Sequence, residues 1–413
     1  MNQFKEQNTG KSKRMSYNAL GTIGVILAAF LVGNVSARFG IFVGPDASEY
    51  SKAVKYAQDY SNYAGLFEAR QALIDNYNGD VEDDVLLDGA IKGMTASLKD
   101  PYTLYMTKDE YKKFNLSNSG LRIGIGVTIF AKDNTVTIVN VEADKPAAKA
   151  NLTSGDIIVK VDGEDIGGDV SKAISLISDT SKKTTKLTIL RSGNNTFDAE
   201  LTKEEIKTDS VSGEIIENKV GYIRLKDFNE DASKSFIDKL KELKDKGAAG
   251  LILDLRGNGG GFLTEAESIA SQFIPESKVI TTLNNKFGKE KKILSKGGIA
   301  QEMPMVLLID GNTASASEVL TGALRDYGIA TTVGTNTYGK GVAQAPFTLE
   351  NTEGALKITI DNFYTPNGEN IHKIGIKPDY EVKLSETDTN KEYSRNTDPQ
   401  FQKGLEVIRE KIK

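Results

Sequence analysis

The chain has 413 residues, too many for one compact core, so two or three domains are expected. Its 52 Lys and Arg residues against 57 Asp and Glu give a net charge of −5, which argues against a nucleic-acid partner. With no cysteine and one histidine, His372, the composition excludes thiol nucleophiles and disulfides and argues against a zinc site.

The first 44 residues predict a cytoplasmic stub followed by a membrane anchor. Four basic residues within the first fourteen precede an uncharged, mostly apolar run over residues 19–35. This run is near the lower limit of the ~17–25 residues that span a bilayer, and it exceeds the core of a signal peptide. Positive charge before the span predicts that everything after residue 40 is extracytoplasmic. The alternatives are a signal peptide cleaved after Ala37, giving a secreted form, and a buried helix of a soluble domain.

Residues 45–117 are predicted to be helical. Apolar residues recur at helical spacing between Leu66 and Tyr77, and again between Leu86 and Met94. Asp100-Pro101 ends the second helix, because the residue before a proline disfavours helical geometry. A paired-helix segment of this kind favours packing or dimerisation over catalysis.

Residues 118–205 change to short β-rich runs separated by turns, such as the run 157–161 before Asp162-Gly163. The segment 146–156, Pro-Ala-Ala-Lys-Ala-Asn-Leu-Thr-Ser-Gly-Asp, resembles the signature of bacterial PDZ domains. Asn151 replaces the usual glycine, and because asparagine tolerates a left-handed backbone we expect the turn to survive.

The PDZ resemblance implies that an extended peptide adds to a sheet edge and that backbone N–H groups bind its terminal carboxylate. The loop expected to do so consists of Gly120, Leu121, Arg122, Ile123 and Gly124. A PDZ domain that only braces the enzyme is the alternative.

From residue 206 to 384 strands alternate with helices, which predicts an α/β core. The expected strands cover residues 220–225, 250–255, 306–309 and 329–333, and the expected helices cover 233–246, 265–273 and 315–327. The remainder, 385–413, is predicted to be a polar tail with a final short helix.

A glycine-rich segment, 254–261, follows the strand at 250–255 with the sequence Asp-Leu-Arg-Gly-Asn-Gly-Gly-Gly. Its glycines allow backbone N–H groups to turn toward a bound oxygen atom. A phosphate-binding loop is the alternative, but the Walker lysine is missing and Phe262 stands where the third glycine of a dinucleotide motif would be.

Ser315 opens the helix at 315–327 in the sequence Ser-Ala-Ser-Glu. This sequence fits a capping box, so a serine that only caps the helix is one interpretation. A nucleophile also suits this place, because the positive end of a helix stabilises a developing oxyanion and the Ala316 N–H is available to donate.

Lys340 lies between two glycines, 25 residues after Ser315. A free lysine, with a pKa of roughly 10.4, is a poor base near neutrality, but burial lowers that value enough for a Ser-Lys dyad. Gln344 would lie on the same face of an extended strand and would reach the lysine if the chain bends at Gly341. A surface lysine in a hairpin is the alternative.

Together, "D-L-R-x-N-x-G-G", "S-A-S-E" and "G-K-G-x-x-Q" resemble the carboxyl-terminal processing, or tail-specific, proteases. The resemblance extends from about Leu66 to Val382 and implies a multidomain α/β protein with a peptidase core of the crotonase and Clp-protease type. It implies that Ser315 is the nucleophile, Lys340 the general base and Gln344 the residue that orients the lysine. The implied oxyanion hole is Gly260, Gly261 and Ala316, with Glu318 and Asp326 as supports.

The resemblance therefore implies a membrane-anchored, extracytoplasmic serine endopeptidase that cleaves near the C-termini of proteins and is gated by its PDZ domain. It implies no metal, nucleotide or other cofactor, and a homodimer is a further expectation. His372 lies outside every motif and is expected at the surface or at a strand end. A catalytically silent PDZ adaptor is one alternative. A crotonase-type acyl-CoA enzyme is another, although it would explain neither the anchor, the PDZ domain nor Lys340.

Overall fold

The computed structural model describes residues 58, 61–132, 134–191, 195–384 and 394–412, in two compact units, 1–89 and 90–413. The predicted membrane span at 19–35 lies outside these residues. A search of the described part of the chain finds no helix with the length and apolar character needed to cross a bilayer.

Both predicted N-terminal helices are present. Helix α1 covers Ala64–Asn76, and α2 covers Asp83–Ala96, ending four residues before Asp100. Helix α1 buries none of its residues, so the apolar stripe that predicted it is exposed. After α2 the chain forms strand β1 (Leu104–Met106) and helix α3 (Lys108–Asn118).

The PDZ domain is a β-sheet with two short helices. Its strands, in chain order, are β3 (Val127–Lys132), β4 (Thr135–Val141), β5 (Ile157–Val161), β6 (Glu164–Asp165), β7 (Thr184–Arg191) and β8 (Asn195–Thr202). The sheet order is β3-β4-β5-β7-β8, with β6 paired to β5, so β3 is an edge strand. Helix α4 (Pro146–Lys149) leads into the turn at Asn151, whose φ of 58° confirms the expected left-handed turn. Helix α5 (Val170–Ile177) packs beside β3 and β5.

The predicted carboxylate-binding loop is not a loop. Leu121–Gly124 forms strand β2, which pairs with β9 (Glu204–Lys207) in a separate two-stranded antiparallel sheet where the chain enters and leaves the PDZ domain. Gly120 is buried with φ 67°, and a Cβ there would come within 2.7 Å of Asn229 Nδ2. The turn before edge strand β3 is instead formed by Ile125 and Gly126.

The peptidase core is a six-stranded sheet with helices on both faces. Its strands are β10 (Val211–Ile216), β11 (Val220–Leu225), β12 (Gly250–Asp254), β15 (Met305–Ile309), β16 (Ala330–Gly334) and β19 (Tyr380–Glu381), in that spatial order. Only β10 in this sheet runs antiparallel to its neighbour. One face packs on α6 (Ala232–Asp245), α7 (Leu263–Ser271) and α8 (Ala316–Asp326), and the other on α9 (Pro399–Lys411).

A second, antiparallel sheet was not predicted. It contains β1 together with β13 (Val279–Asn285), β14 (Glu290–Leu294), β17 (Val342–Thr348) and β18 (Ala355–Tyr364). Its order is β1-β18-β13-β14, and β17 pairs along the other side of β18. Because β17 begins two residues after Lys340, this sheet fixes the path of the chain that carries the lysine.

Parallel strands β12 and β15 bring the two predicted catalytic loops together. The strands pair in register, with Asp254 opposite Leu308, and the glycine-rich segment and the Ser315 turn follow their carboxyl ends. Asp310 Oδ1 accepts a hydrogen bond from the Gly257 N–H at 3.0 Å, and the Asn258 carbonyl accepts from the Ala314 N–H at 3.0 Å. The fold therefore places both loops at the edge of the sheet where ligands bind in open α/β folds.

Candidate active site

Ser315 sits on a strained turn at the start of α8. Its backbone has φ 58° and ψ −117°, a conformation that non-glycine residues rarely adopt. The Ser315 N–H donates to Glu318 Oε2 at 2.9 Å, which is the reciprocal half of the predicted capping box. Backbone strain held by a surrounding network is a feature of functional turns, so this geometry supports more than a capping role.

Glu318 joins the Ser315 turn to the Lys340 segment. Its fully buried carboxylate accepts four hydrogen bonds. Oε2 accepts from the backbone N–H groups of Ser315 and Lys340, both at 2.9 Å. Oε1 accepts from Thr337 Oγ1 at 2.6 Å and from the Gly339 N–H at 2.8 Å. One side chain therefore fixes the backbone of the serine relative to that of the lysine.

Lys340 is half-buried beside an aromatic ring. Its Nζ lies 5.1 Å from the ring centroid of Tyr102, and no hydrogen bond or ion pair from the described residues reaches it. Burial lowers the pKa of Lys340, and the nearby cation of Lys357 lowers it further, while Glu318 and Asp100 act in the opposite direction. A lowered pKa leaves more of the amine neutral at a given pH, as a general base requires.

A cavity of about 420 Å³ opens beside Lys340. Two aromatic rings and small residues line it: Tyr102, Gly257, Gly259, Asn312, Ala314, Tyr338 and Lys340. Burial and a hydrogen bond with Tyr338 raise the pKa of Tyr102 to about 12, so its hydroxyl remains protonated near neutral pH. The cavity volume is in the range of ligand pockets.

The glycine-rich segment packs directly against Ser315. A Cβ on Gly260 would lie 2.9 Å from Ser315 Cβ and 3.0 Å from the Ala316 nitrogen, so only glycine fits there. The Gly260 N–H donates to Asn258 Oδ1 at 2.9 Å, so in this structure it already has an acceptor. The Ala316 N–H is the first amide of α8 and one of those with no carbonyl partner inside the helix. Gly261 is exposed, with φ 143°, beside Phe228.

Asn258 joins the glycine-rich segment to two neighbouring segments, a role that its place in the sequence motif does not indicate. It is fully buried, and its Nδ2 donates to the Leu225 carbonyl at 2.9 Å. Its own carbonyl accepts from Ser317 Oγ at 3.0 Å, which gives that second serine a structural partner. Nothing in the sequence signals these contacts, because they depend on three segments that meet only in the fold.

Asp254 and Arg256 hold the start of the glycine-rich segment. The buried Asp254 carboxylate accepts from Tyr222 Oη at 2.9 Å and from Arg256 Nη2 at 2.7 Å. Arg256 Nη1 in turn donates to Asp398, the N-cap of α9, at 2.7 Å. The C-terminal helix therefore braces the loop from the opposite face of the sheet.

The remaining predicted site residues, Gln344 and Asp326, lie on two different elements, β17 and α8. Gln344 lies in β17 next to a β-bulge, and its Nε2 donates to the Val342 carbonyl at 3.2 Å. Asp326 ends α8, where it accepts from the Arg325 guanidinium at 2.7 Å and from the Asn367 N–H at 2.9 Å. No group of three or more acidic or histidine side chains in the described chain is placed to hold a metal ion.

His372 lies in a turn between β18 and β19. The residue is half-buried and its Nδ1 is enclosed without a hydrogen-bond partner. Its ring meets that of Tyr102, the aromatic ring beside Lys340, edge-on at 6.2 Å between centroids. No local pattern signals this contact, because it depends on how the loop between β18 and β19 folds back toward Tyr102.

Ser315 packs against the glycine-rich segment at a strained helix start, and the Glu318 carboxylate joins its turn to the segment that carries the half-buried Lys340. This arrangement is the one expected of a serine hydrolase. Three parts of the chain match known families: residues 219–382 match peptidase family S41, residues 123–201 the PDZ domain, and residues 44–110 the N-terminal domain of the activating protease CtpB.

Full-length relatives give the same result. The chain is 34% identical to the carboxy-terminal processing protease CtpA of Bacillus subtilis (strain 168), over 78% of this chain and 70% of that protein. It is 33% identical to a probable CtpA-like serine protease of Staphylococcus aureus (strain COL), over 96% of this chain and 78% of that protein. A putative S41 protease from Bacteroides fragilis NCTC 9343 shares the fold, with a TM-score of 0.55 at 19% identity, over 81% of this chain and 92% of that chain. The chain therefore belongs to the carboxy-terminal processing proteases of family S41, and it is a serine-type endopeptidase with a PDZ domain.

Proposed function

We propose that Ser315 and Lys340 form the catalytic dyad of this protease. The single observation that supports this most directly is the Glu318 carboxylate, which accepts hydrogen bonds from the backbone N–H groups of both residues. The lowered pKa of Lys340 and the absence of an ion pair to its amine within the described chain favour a neutral base.

In the proposed mechanism Ser315 Oγ attacks the scissile carbonyl carbon while its proton passes to Lys340 Nζ. The tetrahedral intermediate collapses as the C–N bond breaks, and the lysine returns the proton to the leaving amine. A water molecule then attacks the carbonyl carbon of the acyl-serine ester while Lys340 accepts a proton from it. The C–O bond to Ser315 breaks, Lys340 returns the proton to Ser315 Oγ, and the acid product leaves. Gln344 enters this scheme only if its side chain turns from Val342 toward Lys340.

The Ala316 N–H is the donor best placed for the oxyanion, since it is the first amide of α8 and lies against the glycine-rich segment. For Gly260 to contribute, its N–H must leave Asn258 Oδ1 or be shared with it. Gly261 is a third candidate. We therefore expect the hole to be completed when substrate enters the cleft.

The proposed dyad is tested with a fluorophosphonate-type serine probe and a peptide substrate. Ser315→Ala and Lys340→Ala should each abolish cleavage, and Ser315→Ala should also abolish labelling. Ser317→Ala is the matched control, because Ser317 lies in the same turn but donates to the Asn258 carbonyl. Substantial cleavage by Lys340→Ala would disprove lysine as the base.

We propose that the PDZ domain recognises the C-terminal tail of a protein substrate through the open edge of β3. Among the described residues strand β3 pairs only with β4, and α5 lies beside it. Extended peptides add to such edges through main-chain hydrogen bonds. The amides of the Ile125–Gly126 turn replace the Gly120–Gly124 segment as candidates for binding the terminal carboxylate.

Two further parts of the proposal concern assembly and location. The basic stub and the apolar run at 19–35 support a membrane anchor with an extracytoplasmic protease. Protease added outside intact cells should then digest the catalytic domain, and protection until lysis would disprove this topology. The exposed apolar residues of α1, such as Leu66, Leu73 and Ile74, favour a homodimer through this helix. A chain that stays monomeric by light scattering would exclude it.

A further inference from the structure

The hairpin formed by β13 and β14 projects a bare aromatic ring from the edge of the antiparallel sheet. Phe287, at its tip, is 82% exposed, the largest value among the exposed large apolar side chains of the described residues. Strand β14 is the last strand of its sheet, and no strand of the described residues pairs with its outer side. We refer to residues 279–294 as the lysine hairpin.

The tip holds Phe287 in a defined position. Asn285 Oδ1 accepts hydrogen bonds from the backbone N–H groups of Phe287 and Lys289, at 3.0 and 3.1 Å. The Asn285 carbonyl accepts from the Gly288 N–H at 2.9 Å, and Gly288 has φ 72°, in the left-handed region that glycine adopts readily. Three hydrogen bonds to one asparagine fix the conformation of this turn. The hairpin itself therefore holds the Phe287 ring in an exposed position.

Positive charge surrounds this ring. Lys286, Lys289, Lys291 and Lys292 are all exposed, and with Glu290 as the one acidic residue between them the segment 286–292 carries a net +3 in a chain of net −5. Lys286 Nζ lies 5.0 Å from the Phe287 ring centroid. Lys292 pairs with Glu290 at 3.4 Å, whereas no ion pair with a described residue involves Lys286, Lys289 or Lys291.

Protection of an edge strand explains only part of this pattern. Lysines on an edge strand prevent edge-to-edge association, and that accounts for Lys291 and Lys292 on β14. It does not account for an aromatic ring held at the tip, because an exposed Phe287 raises the risk of association. The combination of one inserted aromatic ring and a surrounding set of lysines is instead typical of segments that sit at a membrane interface.

We propose that the lysine hairpin docks on a bilayer surface that carries anionic phospholipid headgroups. Phe287 would enter the boundary between headgroups and acyl chains, while the lysines, on both faces of the hairpin, would extend to the phosphates. This rests on the proposed function, since a chain anchored at 19–35 keeps its catalytic unit within reach of that surface. The contact would hold the protease close to the membrane and restrict which substrates it can reach.

The absence of tryptophan makes the proposal directly testable. The full chain carrying Phe287→Trp is reconstituted into nanodiscs of phosphatidylcholine alone or with phosphatidylglycerol, and emission and quenching by brominated lipid are measured. We expect a blue shift and lipid quenching only with phosphatidylglycerol, and both should reverse at high salt because the contact is electrostatic. Phe347→Trp, a half-exposed position on β17, is the matched probe and should remain in water.

The lysines are tested in the Phe287→Trp background by Lys286→Gln, Lys289→Gln and Lys291→Gln together. Each lysine contributes about five-fold to binding at an anionic membrane surface. Replacing all three should therefore lower the ratio of membrane-inserted to free hairpin tip on the order of 100-fold. Lys219→Gln, Lys234→Gln and Lys241→Gln, also exposed lysines, form the control set and should change nothing. Cleavage of a soluble peptide does not involve the hairpin, so an unchanged cleavage rate verifies that each variant is folded.

Three results would overturn the proposal: emission identical for the two tryptophan positions, immersion equal in neutral and anionic discs, or immersion indifferent to the three lysines. Failure of anchoring has a different signature, because the chain then does not enter the discs at all. In that case the same readout is taken with anionic vesicles added to the free protein. A lysine-dependent blue shift would support the hairpin without the anchor, and no shift would disprove it.

Discussion

Glu318 is the residue on which the geometry of the site depends most. Its carboxylate accepts from three backbone N–H groups and one hydroxyl, and it lies between the serine and lysine segments. A glutamine of the same shape replaces one acceptor with an NH₂ group, which then faces a donor. At least one buried N–H or hydroxyl loses its partner, and the two backbone segments lose a shared anchor.

We therefore predict that Glu318→Gln lowers kcat by roughly 10- to 100-fold, since small displacements of reacting groups have effects of that size. The Michaelis constant should change much less, because Glu318 is buried and does not line the cavity. Steady-state kinetics on a short peptide measure both constants. Glu302→Gln, at an exposed site, is the matched control. A kcat equal to that of the parent protein would show that the bridge is dispensable.

The pH dependence of catalysis should report the charge of Lys357. This residue is half-buried on β18, its Nζ lies 5.7 Å from the ring centroid of Phe114, and burial lowers its pKa. Because its cation disfavours protonation of Lys340, removing it should raise the pKa of Lys340. The base acts when neutral, so activity rises with pH through that pKa. Lys357→Met should therefore move the rising limb of kcat/KM to higher pH.

Lys357→Arg, which keeps the charge, is the control and should leave the profile near its original position. The acidic and aromatic groups that also face Lys340, namely Glu318, Asp100 and Tyr102, are the same in both variants. Identical profiles for the methionine and arginine variants would show that burial alone sets the pKa of Lys340.

At this scale the sequence identified the candidate residues but not their contacts. Ser315 and Lys340 were recognisable because each stands in a short motif with its own chemistry. The link that Glu318 makes to the Lys340 segment was not recognisable from sequence, because its partners at Gly339 and Lys340 are backbone groups without a sequence signature. The same holds for Asn258, which binds Leu225, Gly260 and Ser317 through one side chain and one carbonyl.

Among the elements, strands buried on both faces were predicted closely and strands of the antiparallel sheet were missed. Strand β11 begins and ends where the apolar run 220–225 does, because helices cover both of its faces. Strand β17 contains Pro346 and little alternation, and β14 is mostly charged. Neither looks like a strand from its own residues, since their pairing with β18 and β13 decides their conformation.

In the PDZ domain, the segment predicted to be the carboxylate-binding loop forms a strand instead. Gly120 and Gly126 both have positive φ, and from sequence either one suits a carboxylate-binding turn. In the fold Gly120 closes against Asn229 at the boundary with the core, and Gly126 precedes the free edge of β3. The pairing of β2 with β9 makes the segment after Gly120 a strand, which no local pattern encodes.

If β3 receives the substrate tail, the exposed apolar residue Ile174 of α5 should contribute to binding. We predict that Ile174→Asp raises KM for a protein substrate with an apolar tail by about tenfold, the loss expected for one buried aliphatic side chain. Its kcat for a short peptide should not change. Val139→Asp, on β4 and similarly exposed, is the matched control. Equal effects of the two variants would place the tail elsewhere.

At the scale of the whole molecule, strands β2 and β9 connect the PDZ domain to the peptidase core. Both chain crossings between the domains are in this two-stranded sheet, and Gly120 adds a hydrogen bond from the Thr208 N–H to its carbonyl at 2.7 Å. The two domains are therefore joined by paired strands rather than by unpaired linkers. The sequence predicted the two domains, but the strand pairing between them became visible only in the fold.

The last prediction is that cleavage depends on a free substrate C-terminus only while the PDZ domain is present. Backbone N–H groups that bind a carboxylate make charge-assisted hydrogen bonds worth about 1.5–3 kcal/mol, which corresponds to roughly 10- to 100-fold in affinity. Amidation of the tail should therefore raise KM by up to that factor in the intact protein. Removal of residues 125–203, with a short Gly-Ser connection that keeps β2 and β9, should make free and amidated tails equivalent, whatever its effect on the basal rate. Equal cleavage of both tails by the intact chain would instead make the PDZ domain a structural brace and leave substrate selection to the cleft beside Lys340.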